Sequence, residues 1–445
     1  MKRIALVVLV CWPIGCGGAV EPAGTDGTWV GTITTEGNVT TVVNVSGSVW
    51  GGAARLVEEA SIGTAEGSEE YLLGAITSIA ASEDSIYFAD IQAVKVRAYD
   101  LDGVHLRDIG GRGPGPGEFQ RPWDVAIHRD GSILVRDQNQ RRVHMFTAEG
   151  ELIDDWSAER GSRTTIGTDG TVYVIREPLL PDERGEVTVE MRRYDSDGTD
   201  GDWERLDAFE PTPALEADYN QLESMARFVG PGGDWQSTRW LPFAPRVVAE
   251  ISATGAMLYG RAHADGFELL RDDGSVWISR AAYRFDVRHP DGTTMIVKKE
   301  WSPVPVHPDE ADWHRRRLTE LWRTATDPSW TWLGGQIPAQ KGAYEAIVPG
   351  VDGSYWVIRP LAGEAIDGCD NQPADYNGYV ERPCWRQPHA ADVFDIEGRF
   401  LGSVPMPDGI RYHTRPFIRG DMVIALLEGA DGVVYVKRYQ LRPQG

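Results

Sequence analysis

Six side chains suited to binding or acid–base chemistry occupy equivalent places in a repeated pattern of this chain: Trp123, Asp124, Arg163, Glu345, Tyr412 and His413. Asp124, Glu345 and His413 carry groups that can ligate a divalent cation, whereas Arg163 would oppose one. The residue types leave three interpretations open. They are a cation site, a structural Asp124–Arg163 ion pair, or a polar and aromatic pocket for a small ligand or peptide.

The pattern that aligns these residues is a turn containing an acidic residue and usually glycine, followed by a short β-run. Its copies begin at residues 83, 130, 169, 273 and 352, with a degenerate sixth copy at 419–424. Most copies are followed by a second hairpin with its own turn, as at Asp102-Gly103 and Glu149-Gly150. Two hairpins in each of six copies predict an all-β fold, a six-bladed β-propeller of four-stranded antiparallel blades.

A short run before each copy is the predicted inner strand of that blade. The alignment places Thr77, Asp124, Arg163, Phe267, Ala346 and His413 at one position of this strand. The preceding position holds Ile76, Trp123, Ser162, Gly266, Glu345 and Tyr412. Because inner strands surround the axis of a propeller, we expect the candidate side chains at the mouth of its central channel.

The last copy lacks a fourth strand, because the chain stops soon after the run 433–441. The β-rich stretch 28–49 precedes the first copy and has no hairpin partner of its own in the pattern. We therefore predict that 28–49 supplies the missing strand and closes the ring. The predicted propeller spans residues 28–445.

Three insertions interrupt the spacing of the copies, at about 206–245, 302–336 and 361–390. The first contains a predicted helix at 214–228. In the second, Pro308 followed by two acidic residues predicts the start of a helix. Insertions of this kind often carry the residues that give one member of a fold its own function.

The pattern of the N-terminal residues is typical of an export signal. Two basic residues precede a short apolar run, and Pro13-Ile14-Gly15-Cys16 follows, so residues 1–16 predict a signal peptide. The placement of Cys16 resembles a bacterial lipobox, in which that cysteine is lipidated, although Pro13 departs from the usual aliphatic residue. Residues 17–27 are small and polar, as expected of a flexible tether. A lipoprotein, a plainly secreted protein and a chance apolar start all remain open.

Cys369 and Cys384 flank a polar segment without apolar periodicity. In an oxidising compartment a disulfide would close such a loop, and no third or fourth metal ligand stands near the pair. A disulfide is therefore favoured over a metal pair.

The chain of 445 residues has a formal net charge of −23. Such a surface repels phosphate backbones, so nucleic acid is not an expected partner. Beyond the N-terminus no uncharged run reaches the roughly 18 residues of a membrane-spanning helix, so only a lipid anchor would bring the protein to a membrane. We expect a monomer.

The sequence GGRGPGPGEF at 110–119, followed by Arg121-Pro122 and a paired Asp-Gly strand, resembles an NHL-type repeat. The layout is similar to bacterial six-bladed propeller proteins of that class, which are secreted or lipid-anchored, and the local resemblance is strongest over 71–176. Propellers of this shape include protein-binding NHL domains, YWTD-type receptor modules, metal-dependent lactonases and peptide-amidating lyases. The resemblance implies a fold and leaves the activity open.

We therefore expect an extracytoplasmic binding or scaffolding propeller that recognises a protein, peptide or glycan. The alternative is a hydrolase or lyase, similar to the lactonases or amidating lyases, with a divalent cation such as calcium on the propeller axis. No catalytic residue and no cofactor is assigned from the sequence.

Overall fold

A computed structural model describes residues 28–158, 163–176, 190–195, 199–202, 204–205, 227–229, 235–237, 246–262, 268–270, 276–278, 283–325, 328–329, 331, 337–369, 384–429 and 432–443. Three strands precede the first blade: β1 (Val30–Glu36), β2 (Val39–Ser46) and β3 (Ala54–Ile62). A single 3₁₀ turn (Glu69–Tyr71) follows them.

Four antiparallel strands form each of the first three blades. Blade 1 contains β4 (Ile76–Ala81), β5 (Ser85–Asp90), β6 (Lys95–Asp100) and β7 (His105–Ile109). Blade 2 contains β8 (Pro122–Ile127), β9 (Ile133–Asp137), β10 (Arg142–Phe146) and β11 (Leu152–Ser157). Blade 3 contains β12 (Arg163–Ile166), β13 (Val172–Arg176), β14 (Glu190–Tyr194) and β15 (Glu204–Arg205). A separate hairpin, β16 (Arg227–Val229) and β17 (Trp235–Ser237), follows blade 3.

The second half of the ring carries the larger additions. Blade 4 contains β18 (Arg246–Ile251), β19 (Met257–Ala262), β22 (Arg284–Arg288) and β23 (Thr294–Lys299), with the hairpin β20 (Glu268–Leu270) and β21 (Val276–Ile278) inserted between β19 and β22. Helix α1 (Pro308–Ala325) leads to blade 5. Blade 5 contains β24 (Ala346–Pro349), β25 (Tyr355–Pro360), β28 (His389–Phe394) and β29 (Phe400–Pro405), with the hairpin β26 (Glu364–Ala365) and β27 (Trp385–Arg386) between β25 and β28. Blade 6 contains β30 (Phe417–Arg419), β31 (Met422–Glu428) and β32 (Val434–Pro443), and its fourth strand is β3.

The six-bladed β-propeller predicted from the sequence is confirmed, and an N-terminal strand does close the ring. The closing strand is β3, which pairs with β32 from Ala54 opposite Pro443 to Ile62 opposite Val436. The prediction that 28–49 fills this place is wrong. Those residues form the hairpin β1–β2, and β2 runs parallel to the outer strand β23 of blade 4.

The N-terminal segment therefore binds the outside of three blades in succession. Asn44 is buried and connects blades 4 and 5: its amide donates to the carbonyls of Lys298 and Gly398, and its oxygen accepts from Trp29 and from the Phe400 amide. The next residues add a short pairing to β29, since the amide of Trp50 donates to the carbonyl of Leu401 at 2.9 Å. Strand β3 then completes blade 6.

The acidic turns adopt the structure that the repeat predicts. In blade 2 the Asp130 carboxylate accepts from the amide of Ser132 at 2.9 Å, and Gly131 has φ 91°, a value that favours glycine. The same side-chain bond forms at Asp169 in blade 3 and at Asp352 in blade 5. These turns join the first and second strands of their blades.

The copy at 273–278 is the exception. Residues Val276–Ile278 belong to the inserted hairpin, and the equivalent turn of blade 4 lies at 252–256, where the hydroxyl of Ser252 accepts from the amide of Ala256 at 3.0 Å. The inner strand of blade 4 is therefore β18, and the alignment of Gly266 and Phe267 with an inner strand is wrong. Both residues lie outside the part of the chain that the structure describes.

Apolar side chains fill the seams between neighbouring blades. Phe285, Val357 and Phe394 are fully buried between blades 4 and 5, and Trp356 and Val423 between blades 5 and 6. Full burial of one such side chain contributes about 1.5–3 kcal/mol. The seams therefore hold the blades at a fixed angle and set the width of the channel between the inner strands.

Candidate functional site

The long connections between strands all emerge on the same face of the ring. In each blade we name the strands A to D from the axis outward. Because the strands are antiparallel, the A–B and C–D turns lie at one end of the blade and the B–C and D–A connections at the other. The longest A–B or C–D turn is 195–203, whereas the B–C and D–A set contains 177–189, 206–245, 263–283, 300–345 and 361–388. We call these the tight-turn face and the insertion face.

A seven-residue loop, 410–416, lies at the insertion face and carries two of the candidate residues, Tyr412 and His413, together with Arg415. It is fixed at both sides: Ile410 forms a bridge with Leu427, and the buried hydroxyl of Thr414 donates to the carbonyl of Ile76 at 2.8 Å. The adjacent hydroxyl, that of Thr77, donates to the carbonyl of Trp123 at 2.7 Å. These two hydrogen bonds connect blades 6, 1 and 2 around the channel mouth.

Arg415 of this loop crosses the channel. Its guanidinium donates to the hydroxyl of Thr165 on β12 at 2.9 Å and forms an ion pair with Glu250 on β18. β12 belongs to blade 3, which lies opposite blade 6 in a ring of six, and β18 belongs to blade 4, two blades away from blade 6. Since Glu250 lies one residue before the end of β18, the guanidinium sits toward the tight-turn end of the channel. Arg415 therefore forms a floor beneath the mouth.

Glu345, His389 and Tyr412 form one polar and aromatic cluster beside the axis. Glu345 precedes β24, and its carboxylate lies 2.9 Å from Nε2 of His389, the first residue of β28. The ring of Tyr412 meets the His389 ring edge-on, with centroids 5.3 Å apart. Burial, and then the charge of Glu345, raise the pKa of Tyr412, so its hydroxyl stays protonated. That buried hydroxyl has no hydrogen-bond partner within the described residues.

Trp123 and Asp124 lie on β8 at a bulge that shifts the register between Pro122 and Asp124. The guanidinium of Arg121 stacks on the Trp123 ring at 4.7 Å from its centroid. Asp124 accepts from Nε of Arg136 at 2.7 Å, and the Arg136 side chain is only 1% exposed. Asp124 is thus neutralised within its own blade.

Arg163, the predicted partner of Asp124, begins β12, but its side chain lies outside the described part of the chain. The Asp124–Arg163 pair stays a prediction. His413 is exposed, and partial burial followed by the nearby charge of Arg411 lowers its pKa.

The predicted cation ligands do not converge in the described structure. Asp124 is bound to Arg136, Glu345 to His389, and His413 is exposed in the loop. Among the residues that the structure describes, no group of three or more His, Cys, Asp or Glu side chains could hold a metal ion. These residues do not fit an axial cation site.

Contacts join Glu345, His389 and Tyr412, while Trp123 lies on the inner strand β8 and Arg415 crosses the channel below the mouth. We name these five residues the axial cup. Sequence reasoning missed His389 and Arg415. Arg415 stands two residues after His413 and two before β30, so a search of the whole loop would have included it. His389 begins a third strand, and only the register of blade 5 brings it beside Glu345.

Helix α1 is fixed to blade 5 at the insertion face and begins at Pro308, as predicted. Glu310 and Lys341 are both buried and lie 2.9 Å apart, and Lys341 also donates to Gln387. The backbone passes very close here, because a Cβ atom at Gly363 would lie 2.4 Å from the Glu310 carboxylate. The predicted Cys369–Cys384 disulfide is present and joins the ends of 370–383.

The predicted helix 214–228 is wrong at its C-terminal end, because Arg227 and Phe228 lie in strand β16. The rest of that segment lies outside the described residues, as do Cys16 and the tether at 17–27. Within the described part, no helix combines the length and apolar character needed to cross a membrane.

Comparison with known proteins defines the class of this chain as a six-bladed β-propeller. Residues 35–157 match the model of a family, DUF5128, described as a 6-bladed beta-propeller. The match begins at the end of β1 and covers β2, β3 and blades 1 and 2. The six blades of the structure extend that architecture to the remainder of the chain.

Several solved structures resemble the chain at low identity. A member of the duf4221 family from Bacteroides vulgatus is 10% identical with a TM-score of 0.47, covering 88% of this chain and 99% of its own. The virginiamycin B lyase of Staphylococcus aureus is 10% identical with a TM-score of 0.32, covering 82% of this chain and 94% of its own. A gluconolactonase from Xanthomonas campestris is 11% identical with a TM-score of 0.35, covering 87% and 90%. Likeness at this level assigns no activity.

Proposed function

We propose that the protein is an extracytoplasmic binding propeller whose ligand, a protein, peptide or glycan, docks in the axial cup from the insertion face. The observation that supports this most is the asymmetry of the ring. The long connections emerge on the face where loop 410–416 presents its side chains, while the opposite face carries short turns. Loops positioned by a rigid scaffold are where binding residues concentrate.

The composition of the cup also supports binding. Trp123 and Tyr412 provide aromatic surface, while Glu345, His389 and Arg415 provide polar groups of both charges. A concave site with aromatic walls and a few fixed polar groups is the usual form of a pocket for a small ligand or peptide. Arg415 crosses the channel below the cup, so a ligand would enter from the insertion face.

The proposal includes the location of the protein outside the cytoplasm. We take the chain to be an NHL-type propeller of the bacterial lipoprotein kind, with Cys16 lipidated and 17–27 as the tether. The Cys369–Cys384 disulfide supports an oxidising compartment, since disulfides persist outside the cytoplasm. Mass spectrometry of the mature N-terminus tests the anchor directly: a diacylglyceryl group on Cys16 is expected, and an unmodified N-terminus at another residue would contradict it.

The test of binding compares variants on the two faces. The purified protein is applied to peptide and glycan arrays beside Trp123→Ala and Tyr412→Ala in the cup, and Ile396→Ser on the tight-turn face. Ile396 is a matched control because it is 61% exposed and lies far from the cup in a C–D turn. We expect array ligands to lose binding to the cup variants alone. Loss in Ile396→Ser with retention in the cup variants would overturn the proposal.

A second candidate function, hydrolysis or elimination at the same cup, is favoured by the Glu345–His389 pair. A carboxylate that orients an imidazole is a common arrangement for a general base. The check is turnover of lactone and peptide substrates by the wild-type protein and by His389→Gln. Turnover that disappears in His389→Gln would support an enzyme, and equal rates in both would leave binding alone.

A further inference from the structure

The guanidinium of Arg415 has hydrogen-bonding capacity that the protein does not use. Arginine carries five N–H donors in a planar fork. One donor binds Thr165, another faces Glu250, and Nε has no hydrogen bond within the described residues. About a third of the side chain, 32%, is exposed although the residue lies across the channel. The side chain is therefore partly accessible and carries donors that the described residues do not use.

Two anchors hold this fork in a fixed orientation. Thr165 and Glu250 lie on different blades, so the guanidinium cannot turn without losing one of them. A fork held in place loses little entropy when it binds a planar acceptor, which is why arginine suits bidentate carboxylate recognition. The floor of the cup is thus prepared for an oxygen-bearing group.

The charges around Arg415 favour a ligand group with one negative charge over a group with two. Glu250 is only 13% exposed and already balances part of the arginine charge. Glu345 stands at the wall of the cup, and the whole chain carries a formal charge of −23. A phosphate dianion would meet this repulsion in full, whereas a carboxylate meets less of it and matches the fork geometry.

We propose that Arg415 binds a carboxylate of the ligand at the floor of the axial cup, beside Glu250 and through the donors that Thr165 and Glu250 leave unused. This rests on the proposed function, since it assumes that the ligand enters the cup. The carboxylate can be the C-terminus of a peptide or the acid group of a uronic sugar, and both place the same atoms at the floor.

The experiment uses simple probes and the full-length protein. Thermal shift and calorimetry are measured with an N-acetylated dipeptide bearing a free C-terminus, with its C-terminal amide, with glucuronate and with glucose, all at constant ionic strength. We expect a saturable rise in melting temperature with at least one acid and none with its neutral counterpart. Which acid acts then decides between the peptide and the sugar source.

Two variants locate the effect. Arg415→Gln should abolish the acid-dependent shift, while Glu250→Gln removes the competing carboxylate and should strengthen acid binding by roughly tenfold, about the value of one charge-assisted hydrogen bond. Glu250→Gln keeps the test decisive if Arg415→Gln folds poorly. Arg399→Gln is the control, because Arg399 is paired with Asp395 on the tight-turn face.

An acid-dependent shift that persists in Arg415→Gln would overturn the inference, as would weaker acid binding by Glu250→Gln. So would the absence of any shift with both acids. A neutral array ligand that still requires Trp123 and Tyr412 would then leave the proposed function standing, so the two failures are distinguishable.

Discussion

Arg415 and Glu250 form an ion pair across the axis of the propeller, although they lie on blades 6 and 4. Most other polar links at the channel join neighbouring blades, as Thr77 does with Trp123. Because the pair connects two blades that are not neighbours, it opposes widening of the ring as well as sliding of one blade on the next. The pair therefore both stabilises the ring and shapes the candidate site.

Removing either partner should destabilise the fold. Arg415→Gln removes the guanidinium that is paired with the largely buried Glu250 carboxylate. We expect a loss of about 1–2 kcal/mol, below the cost of breaking a fully buried pair because Arg415 is partly exposed. Urea denaturation of the single and double variants in a double-mutant cycle measures the coupling.

The exposed pair Lys437–Glu58, at 2.9 Å, provides the matched control. Its coupling should be about 0.5 kcal/mol or less, because solvent screens it. Equal coupling in the two cycles would show that the axial pair has no special role.

The sequence predicted the parts of the fold that depend on local chemistry. Acidic turns such as Asp130-Gly131 form from contacts two residues apart, so their spacing revealed the blades. Blade 4 uses Ser252 in place of an acidic residue, while 273–278 fits the pattern and lies in an inserted hairpin. The turn pattern therefore could not locate the inner strand of that blade.

The remaining errors concern long-range choices. Strands β2 and β3 are both β-rich, and only pairing with β32, at the other end of the chain, decides which of them closes the ring. In the site, Trp123 lies on an inner strand and Glu345 directly precedes one, as the alignment predicted. Tyr412 and His413 were predicted on an inner strand but lie in loop 410–416 before β30, so that part of the alignment is wrong. The role of Arg415 depends on contacts 250 residues away in sequence, which no local pattern records.

Two truncations of the N-terminus should distinguish the contribution of β3, which closes the ring, from that of the β1–β2 hairpin, which pairs with the outer strand of blade 4. Deleting 1–52 removes the β1–β2 hairpin and the contacts of Asn44 but keeps β3, so we expect a cooperative fold with a lower melting temperature. Deleting 1–63 also removes β3, including the buried Ala54 and Ile62, and exposes β32 as an edge. That protein should lose cooperative unfolding and aggregate.

Calorimetry and size-exclusion chromatography of both truncations check this. If deletion of 1–52 alone abolished the folded state, the hairpin would be required for closure, contrary to the pairing of β3 with β32. A control deletion of 1–27 should leave the melting temperature unchanged.

Removing one partner of the buried pair Glu310–Lys341 should destabilise the protein strongly, whereas replacing both residues by apolar ones should have a small effect. Glu310→Ala removes the carboxylate that balances the fully buried ammonium of Lys341, and we expect a loss of about 3–5 kcal/mol in the stability of the docked helix. The double variant Glu310→Leu with Lys341→Met keeps the volume without charge and should recover most of that loss. Limited proteolysis within α1 and urea denaturation measure the two effects. A double variant as unstable as the single one would indicate that Gln387 needs the lysine.

His314 on α1 should make the helix sensitive to mild acid. Burial, then the charges of Arg317 and Lys341, lower its pKa from 6.5 to about 3, so the folded protein holds the imidazole neutral. Between these values the unfolded chain binds one more proton than the folded chain. The stability contributed by neutral His314 is therefore complete above about pH 6.5 and falls by at most about 1.4 kcal/mol per pH unit below it.

Chemical denaturation of the wild-type protein and of His314→Leu across this range measures the effect. Leucine cannot be protonated, so the variant should lose the part of the pH dependence that begins near 6.5 while keeping the acid-induced loss at lower pH that comes from carboxylates. His128→Leu is the control, because the His128 ring lies 2.7 Å from the Asp130 carboxylate, whereas Arg317 and Lys341 are the charged groups that act on His314. Identical pH profiles for wild type and His314→Leu would mean that α1 opens before His314 is protonated, and hydrogen exchange along 308–325 would then show early loss of protection.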